Sequence, residues 1–90
     1  MFICEVFLKL ADSFGIVLKR LRKEKGISQT ALAKNCQLDR TFISLLERGQ
    51  RQPSLSTIFV IAEKLQITPT DFVSKIDQQM RRSRWARHAF

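Results

Sequence analysis

The side chains in this chain that could do chemistry are hydrogen-bond-donating cations and hydroxyls rather than nucleophile–base pairs. Arg40, Thr41 and Ser44 fall within little more than one helical turn, and residues three or four apart share a helix face. An arginine guanidinium donates two parallel bonds and matches O6 and N7 of guanine, a pairing that discriminates between bases by about 1–3 kcal/mol. Thr41 offers a hydroxyl to a base or phosphate and a methyl to thymine. Phe42 has two readings, contact with a thymine methyl or the sugar wall, and packing against the preceding helix.

Catalytic chemistry has no comparable set. His88 is the single histidine, and no triad, carboxylate pair, phosphate-cradling glycine loop or metal cluster accompanies it. Cys4 and Cys36 do not have metal-type spacing. No catalytic residue, metal or cofactor is therefore expected, and the chain is not read as an enzyme. Cys36 lies in an apolar helical pattern, where a free cysteine behaves as a small buried hydrophobe. With no structural disulfide expected, a reducing cytoplasm fits.

Sixteen Lys+Arg against eight Asp+Glu give a net charge of +8 and a pI near 10.4. A surplus of that size on 90 residues makes a positive field that attracts polyanions; its bland alternative is a surface kept basic for solubility. No aromatic stacking platform of the RNA-recognition type is present.

The elements that must position these residues read as five helices, because apolar residues recur at three- and four-residue spacing between turn signals. The first is expected from about Ser13 to Lys25, with Phe14, Val17, Leu18 and Leu21 inward and Gly26 at the left-handed position after it. Ser28 caps a helix from Gln29 to Cys36. After the short connection Gln37-Leu38, Asp39 caps a helix from Arg40 to Arg48, ended by Gly49. So short a link forces a sharp angle between the two helices, the spacing of a helix-turn-helix. Ser54 caps a helix to about Lys64 that is expected to present Leu55, Ile58, Ile61, Ala62 and Leu65 inward. Thr68-Pro69 opens a last helix carrying Phe72, Val73 and Ile76.

The length allows one domain. We divide the chain into an N-terminal apolar extension (1–12), a helix-turn-helix domain (13–77) and a basic C-terminal tail (78–90). The extension carries a helical stripe, Ile3, Val6, Phe7 and Leu10, continued by Phe14, but Phe2, Cys4, Val6, Leu8 and Leu10 also alternate like a strand; helix is the preferred reading. It has no Lys/Arg-rich start or cleavage site and is too short to span a bilayer, so neither a signal peptide nor a membrane segment is expected. The tail gathers Arg81, Arg82, Arg84 and Arg87 around Trp85.

From Phe14 to Phe72 the chain resembles the Xre/Cro-repressor (lambdoid repressor-like) helix-turn-helix family. The residues that carry the resemblance are Leu18-Lys19-Arg20-Leu21-Arg22, Gly26-Ile27-Ser28-Gln29, Leu32-Ala33, Ile43-Ser44-Leu45-Leu46-Glu47-Arg48-Gly49 and Pro53-Ser54-Leu55, followed by Leu65 and Ile67. Within it, Leu38 to Ser44 looks most like the controller proteins of restriction–modification systems. The resemblance implies a compact, all-α, five-helix domain that regulates transcription by binding pseudo-palindromic double-stranded DNA as a homodimer, with the Arg40–Arg48 helix in the major groove. It also implies that Gln29 clamps phosphate at a helix N-terminus, that Arg48, Arg51 and Gln52 contact the DNA backbone, and that Arg22 pairs with Glu47 as scaffold.

Two departures from the family stand out. Gln37 occupies a turn position where the family places glycine for its positive φ, at a strain of order 1 kcal/mol. Phe59 and Val60 are apolar on a helix face that is polar in the family; with Phe72, Val73 or Ile76 they could form a dimer patch. The apolar N-terminal arm is a rival for that role, and enlargement of the core is the plain alternative. No small-molecule ligand is expected, because too few residues follow Ile76 for an effector domain. The alternative function is an antitoxin-type or other protein-binding module on the same fold, with a second protein partner of unknown identity.

Overall fold

A computed structural model describes the backbone of residues 2–82 and the side chains of residues 9–82. It contains helices α1 (Phe2–Glu24), α2 (Gln29–Cys36), α3 (Arg40–Glu47), α4 (Leu55–Lys64) and α5 (Pro69–Arg81), with no strand among the described residues. Arg84, Trp85, Arg87 and His88 of the tail lie outside them, as do the side chains of Cys4 and of the stripe residues Ile3, Val6 and Phe7.

The polar residues at helix starts set the boundaries of α2 to α5. Backbone N–H groups of Ala31, Thr41, Thr57 and Asp71 donate to the side-chain oxygens of Ser28, Asp39, Ser54 and Thr68, at 3.0, 3.2, 3.1 and 3.0 Å. Each bond satisfies a donor that the first turn would otherwise leave without a partner.

The start of α1 differs from the expectation. It begins at Phe2 instead of Ser13, because no proline or glycine interrupts residues 2–14 and their apolar spacing is helical. Ser13 is not a cap; it is buried at 5% exposure. Residues 2–12 therefore continue the first helix of the domain.

The ends of α1 to α4 share one geometry. After α2, Gln37 N–H donates to Lys34 O at 3.2 Å and Leu38 N–H to Ala33 O at 2.8 Å, the paired bonds of a Schellman closure. The same pair follows α1 through Gly26 and Ile27, α3 through Gly49 and Gln50, and α4 through Gln66 and Ile67. All four hinge residues have positive φ: Gly26 and Gly49 at 68° and 73°, Gln37 and Gln66 at 57° and 59°. Two glutamines thus hold a left-handed conformation that costs an L-residue about 1–2 kcal/mol.

All five helices contribute to one core, among them Phe14, Val17, Leu18 and Leu21 from α1, Leu32 and Cys36 from α2, Ile43 and Leu46 from α3, Ile61 and Ala62 from α4, and Phe72 and Ile76 from α5. The Phe14 and Phe72 rings pack 5.4 Å apart at a 37° tilt, an arrangement aromatic quadrupoles favour over a face-to-face sandwich. Two assignments change. Leu55, expected inward, is 69% exposed, because the first residue of α4 projects beyond the core. Phe72 and Ile76, grouped with a dimer patch, are buried at 0% and 5% and present no surface to a partner.

Candidate nucleic-acid interface

One buried node sets the angle between α2 and α3. Arg22 Nε and Nη2 donate to Glu47 Oε2 and Oε1 at 2.6 and 3.0 Å, and Arg22 Nη1 donates to the Ile27 carbonyl at 2.8 Å. Gln29 Nε2 donates to Glu47 Oε1 at 2.9 Å. The Arg22 and Glu47 side chains are 10% and 2% exposed, so the pair is desolvated as well as bidentate, the arrangement in which arginine binds carboxylate most strongly. Four pieces meet here: the last turn of α1, the turn after it, the start of α2 and the end of α3. Gln29, expected at phosphate, is half-buried and spends one amide N–H on this node. A primary amide has two such donors, so one is left for an anion at the start of α2.

The node is possible because α1 and α3 approach at backbone contact. A Cβ on Gly15 would stand 2.5 Å from the Leu46 carbonyl oxygen and 2.6 Å from that of Glu47. Sequence reasoning missed this residue. Its signal was a glycine inside a helical apolar pattern, which marks either a close approach or a weak point.

With Ile43 and Leu46 fully buried, the opposite side of α3 must face outward. Arg40 and Thr41 are exposed on it, and Ser44 is half-exposed one turn later. Phe42 is partly buried against the core, which favours the packing reading over a free aromatic contact. The Arg51 guanidinium carbon lies 5.8 Å from the Phe42 ring centre, within cation–π range. The ring thereby fixes the position of a loop cation next to the outer face of α3, a contact that sequence reasoning also missed. Arg48 is exposed as the C-cap of α3. Gln52 is set elsewhere, in a cleft of about 60 Å³ with Pro53, Leu10, Ala11, Phe14, Ile58 and Ile76.

This surface keeps its charge. Among the described residues the ion pairs are Arg22–Glu47 and Arg81–Asp77, so Arg40, Arg48 and Arg51 are not neutralised by carboxylates. Asp39, the acid nearest the start of α3, caps the helix instead. At the start of α2, Ser28 takes the Ala31 N–H, and the positive end of the helix dipole favours an anion there.

Phe59, Val60 and Val73 are 53%, 36% and 48% exposed and line two adjoining shallow depressions with Pro69. This is an apolar patch between α4 and α5. Burial pushes the Cys36 thiol up from its ordinary range, with Lys64 acting in the opposite sense. No group of three metal-ligating side chains occurs among the described residues, and none of their helices is long and apolar enough to cross a membrane.

Comparison with known proteins agrees with this geometry. A family described as helix-turn-helix matches residues 18–72, more than half of the chain. Control protein C.MunI of Mycoplasma sp is 42% identical over 67 residues, covering 73% of this chain and 90% of that protein. The restriction-modification controller protein C.AhdI from Aeromonas hydrophila is 42% identical with a TM-score of 0.67, over 69% of this chain and 94% of that one. The controller protein C.Esp1396I, as a tetramer in complex with its natural 35 base-pair operator, is 31% identical with a TM-score of 0.72, over 79% of this chain and 93% of that one.

Proposed function

The chain belongs to the helix-turn-helix family, and from that premise we propose that it is a transcriptional regulator that binds a pseudo-palindromic double-stranded operator as a homodimer. The observation that carries this reading is the outward face of α3, where an unneutralised Arg40 and Thr41 stand exposed and Ser44 half-exposed on a helix anchored by Ile43, Leu46 and Glu47. Seated in a major groove, that face brings Arg40 to the base edges.

The second Nε2 proton of Gln29, the start of α2, Arg48 and Arg51 hold the phosphate backbone on either side, and Gln52 contributes from its cleft. Such contacts fix register without reading sequence. Phe59, Val60 and Val73 form the dimer surface, with Phe72 and Ile76 supporting them from the core. For the two copies of α3 to enter successive major grooves on one side of the duplex, the two-fold axis through that patch must space them by about one DNA turn, roughly 34 Å. The operator complex of C.Esp1396I supports this reading, and the likeness to C.MunI and C.AhdI supports a controller role in a restriction–modification system. The protein acts in the cytoplasm, by concentration and dimerisation, without catalysis or a cofactor.

Selection of bound sequences from random duplex tests the reading. A symmetric enriched motif is the expected result. Enrichment of no sequence, or of a single asymmetric half-site, counts against it.

A further inference from the structure

A second group of cations spreads over the outer side of α1, from Lys19 beside the face that meets α3 round to Arg20 at the contact with α5. Gly15 and Arg22, the residues of α1 that meet α3, are seven apart and share a face; Arg20 is turned roughly 150° around the axis from them. Its Nη2 donates to Gln79 Oε1 at 3.0 Å, which joins α1 to the last turns of α5. Lys19 and Lys23 are four apart on α1, and Arg20 and Lys23 three apart, so Lys23 neighbours both, while Lys19 and Arg20 stand about 100° apart on either side of it. On α5, Lys75, Gln79 and Arg82 follow at i, i+4 and i+7, and Gln79 places that row beside Arg20.

All five cations are exposed. None forms an ion pair among the described residues, where Asp77 is engaged by Arg81. Two acids stand four residues away on the same helix faces, Glu24 from Arg20 and Asp71 from Lys75, and neither forms an ion pair with them among the described residues. The seam between α1 and α5 therefore holds an unneutralised strip of positive charge.

We propose that this seam is a second, sequence-independent duplex-binding surface, which grips the phosphate backbone of a DNA segment other than the one read by α3. A row of unpaired cations is what such binding requires, because release of condensed counterions supplies its free energy. A protein partner would need an apolar, desolvated centre, and the strip has one bordering apolar side chain, Ile16, at 39% exposure. A protein seated on its operator through α3 thus holds a second duplex along the outer side of α1 and α5. The inference goes beyond operator recognition and does not depend on which operator is read.

The test immobilises operator duplex, saturates it with the full chain, and adds a fluorescent duplex that lacks the operator. The wild type is expected to capture the second duplex. The variant Lys19→Gln/Arg20→Gln/Lys23→Gln, and separately Lys75→Gln/Arg82→Gln, should load the operator within about twofold of wild type. Their capture should fall, and its log–log salt slope should shrink by about 0.9 for each phosphate contact removed. The two variants alter different helices at exposed positions, so shared loss of capture with unchanged melting is not a folding defect.

The proposal is overturned by no capture by the wild type, by unchanged capture by both variants, or by operator loading lost in proportion to capture. Preferential binding of poly-glutamate over duplex at the seam overturns it in favour of an acidic protein partner. Operator loading is scored first, so failure of the operator reading appears as a bare operator, and binding of one unrelated duplex by the wild type against both variants then tests the seam by itself.

Discussion

Gly15 of α1 lies against Leu46 of α3 so closely that a methyl group on it would stand 2.5 Å from the Leu46 carbonyl oxygen. Backbone cannot yield there as a flexible side chain would, so Gly15→Ala must push α1 and α3 apart. Overpacking of this kind costs about 1–3 kcal/mol. Urea denaturation of the variant should show a lower midpoint with an unchanged slope. A midpoint at or above the wild-type value would mean that the two helices separate freely.

Displacing α1 also disturbs the node that it carries. Glu47→Gln leaves the Arg22 guanidinium, in a side chain 10% exposed, without its bidentate carboxylate. Breaking one side of a buried pair costs about 3–5 kcal/mol, whereas replacing both partners with apolar groups is often neutral. We expect Glu47→Gln and Arg22→Met each to be far less stable than Arg22→Met/Glu47→Leu. A double-mutant cycle by chemical denaturation measures this, and additive losses would show the pair to be uncoupled.

Much of this arrangement was legible in the residue pattern, for physical reasons that can be named. The helix starts at Gln29, Arg40, Leu55 and Pro69 follow from local capping chemistry, in which a short polar side chain bonds its own neighbours. The Gly15 approach and the Gln29–Glu47 bond depend on where one helix lies against another, and no local period encodes that. Phe72 and Ile76 were grouped with Phe59 and Val60 because apolar residues on α5 carry no mark of which side faces α4's outer surface; only Val73 is exposed there. The start of α1 at Phe2 was ambiguous because a short apolar run fits both periods.

Gln37 was the departure that local reasoning did flag, and it holds φ at 57°. Gln37→Gly relieves left-handed strain of about 1–2 kcal/mol but loosens the unfolded chain by about 0.4–1 kcal/mol. The net expectation is a gain between zero and about 1.6 kcal/mol, which raises the melting temperature of a domain this size by about 4–8 °C for each kcal/mol gained. Calorimetry checks it; a clear fall in melting temperature would show that the Gln37 side chain contributes more than its backbone costs.

Arg40 and Arg51 should separate by role. Arg40→Ala removes a base-reading fork and is expected to cost about 1–3 kcal/mol on operator DNA, with little change on random duplex. Arg51→Ala removes a cation held beside α3 by the Phe42 ring and should weaken binding to both DNAs alike while lowering the salt slope by about 1. Equilibrium titrations on the two DNAs at several salt concentrations distinguish the cases. Equal loss on both DNAs for Arg40→Ala would remove its base-reading role.

The apolar patch gives the last prediction. Phe59 and Val73 are about half exposed and flank the same depression with Pro69 and Thr70. They do not support the core, since the fully buried residues of the same helices, Ile61, Ala62 and Phe72, do that. A charge at Phe59 should therefore spare the fold of the monomer and act only where two patches meet. In Phe59→Glu, two like charges face each other across the two-fold axis in the proposed dimer, and an interface bears such juxtaposition at a cost of several kcal/mol. Sedimentation equilibrium should show a monomer at concentrations where the wild type is dimeric. Operator affinity should fall steeply, because each half-site is then bound without help from the other, while the melting curve at low concentration stays near that of wild type. If Phe59→Glu and Val73→Glu both remain dimeric, the two copies meet through another surface, and the exposed patch between α4 and α5 needs a different partner.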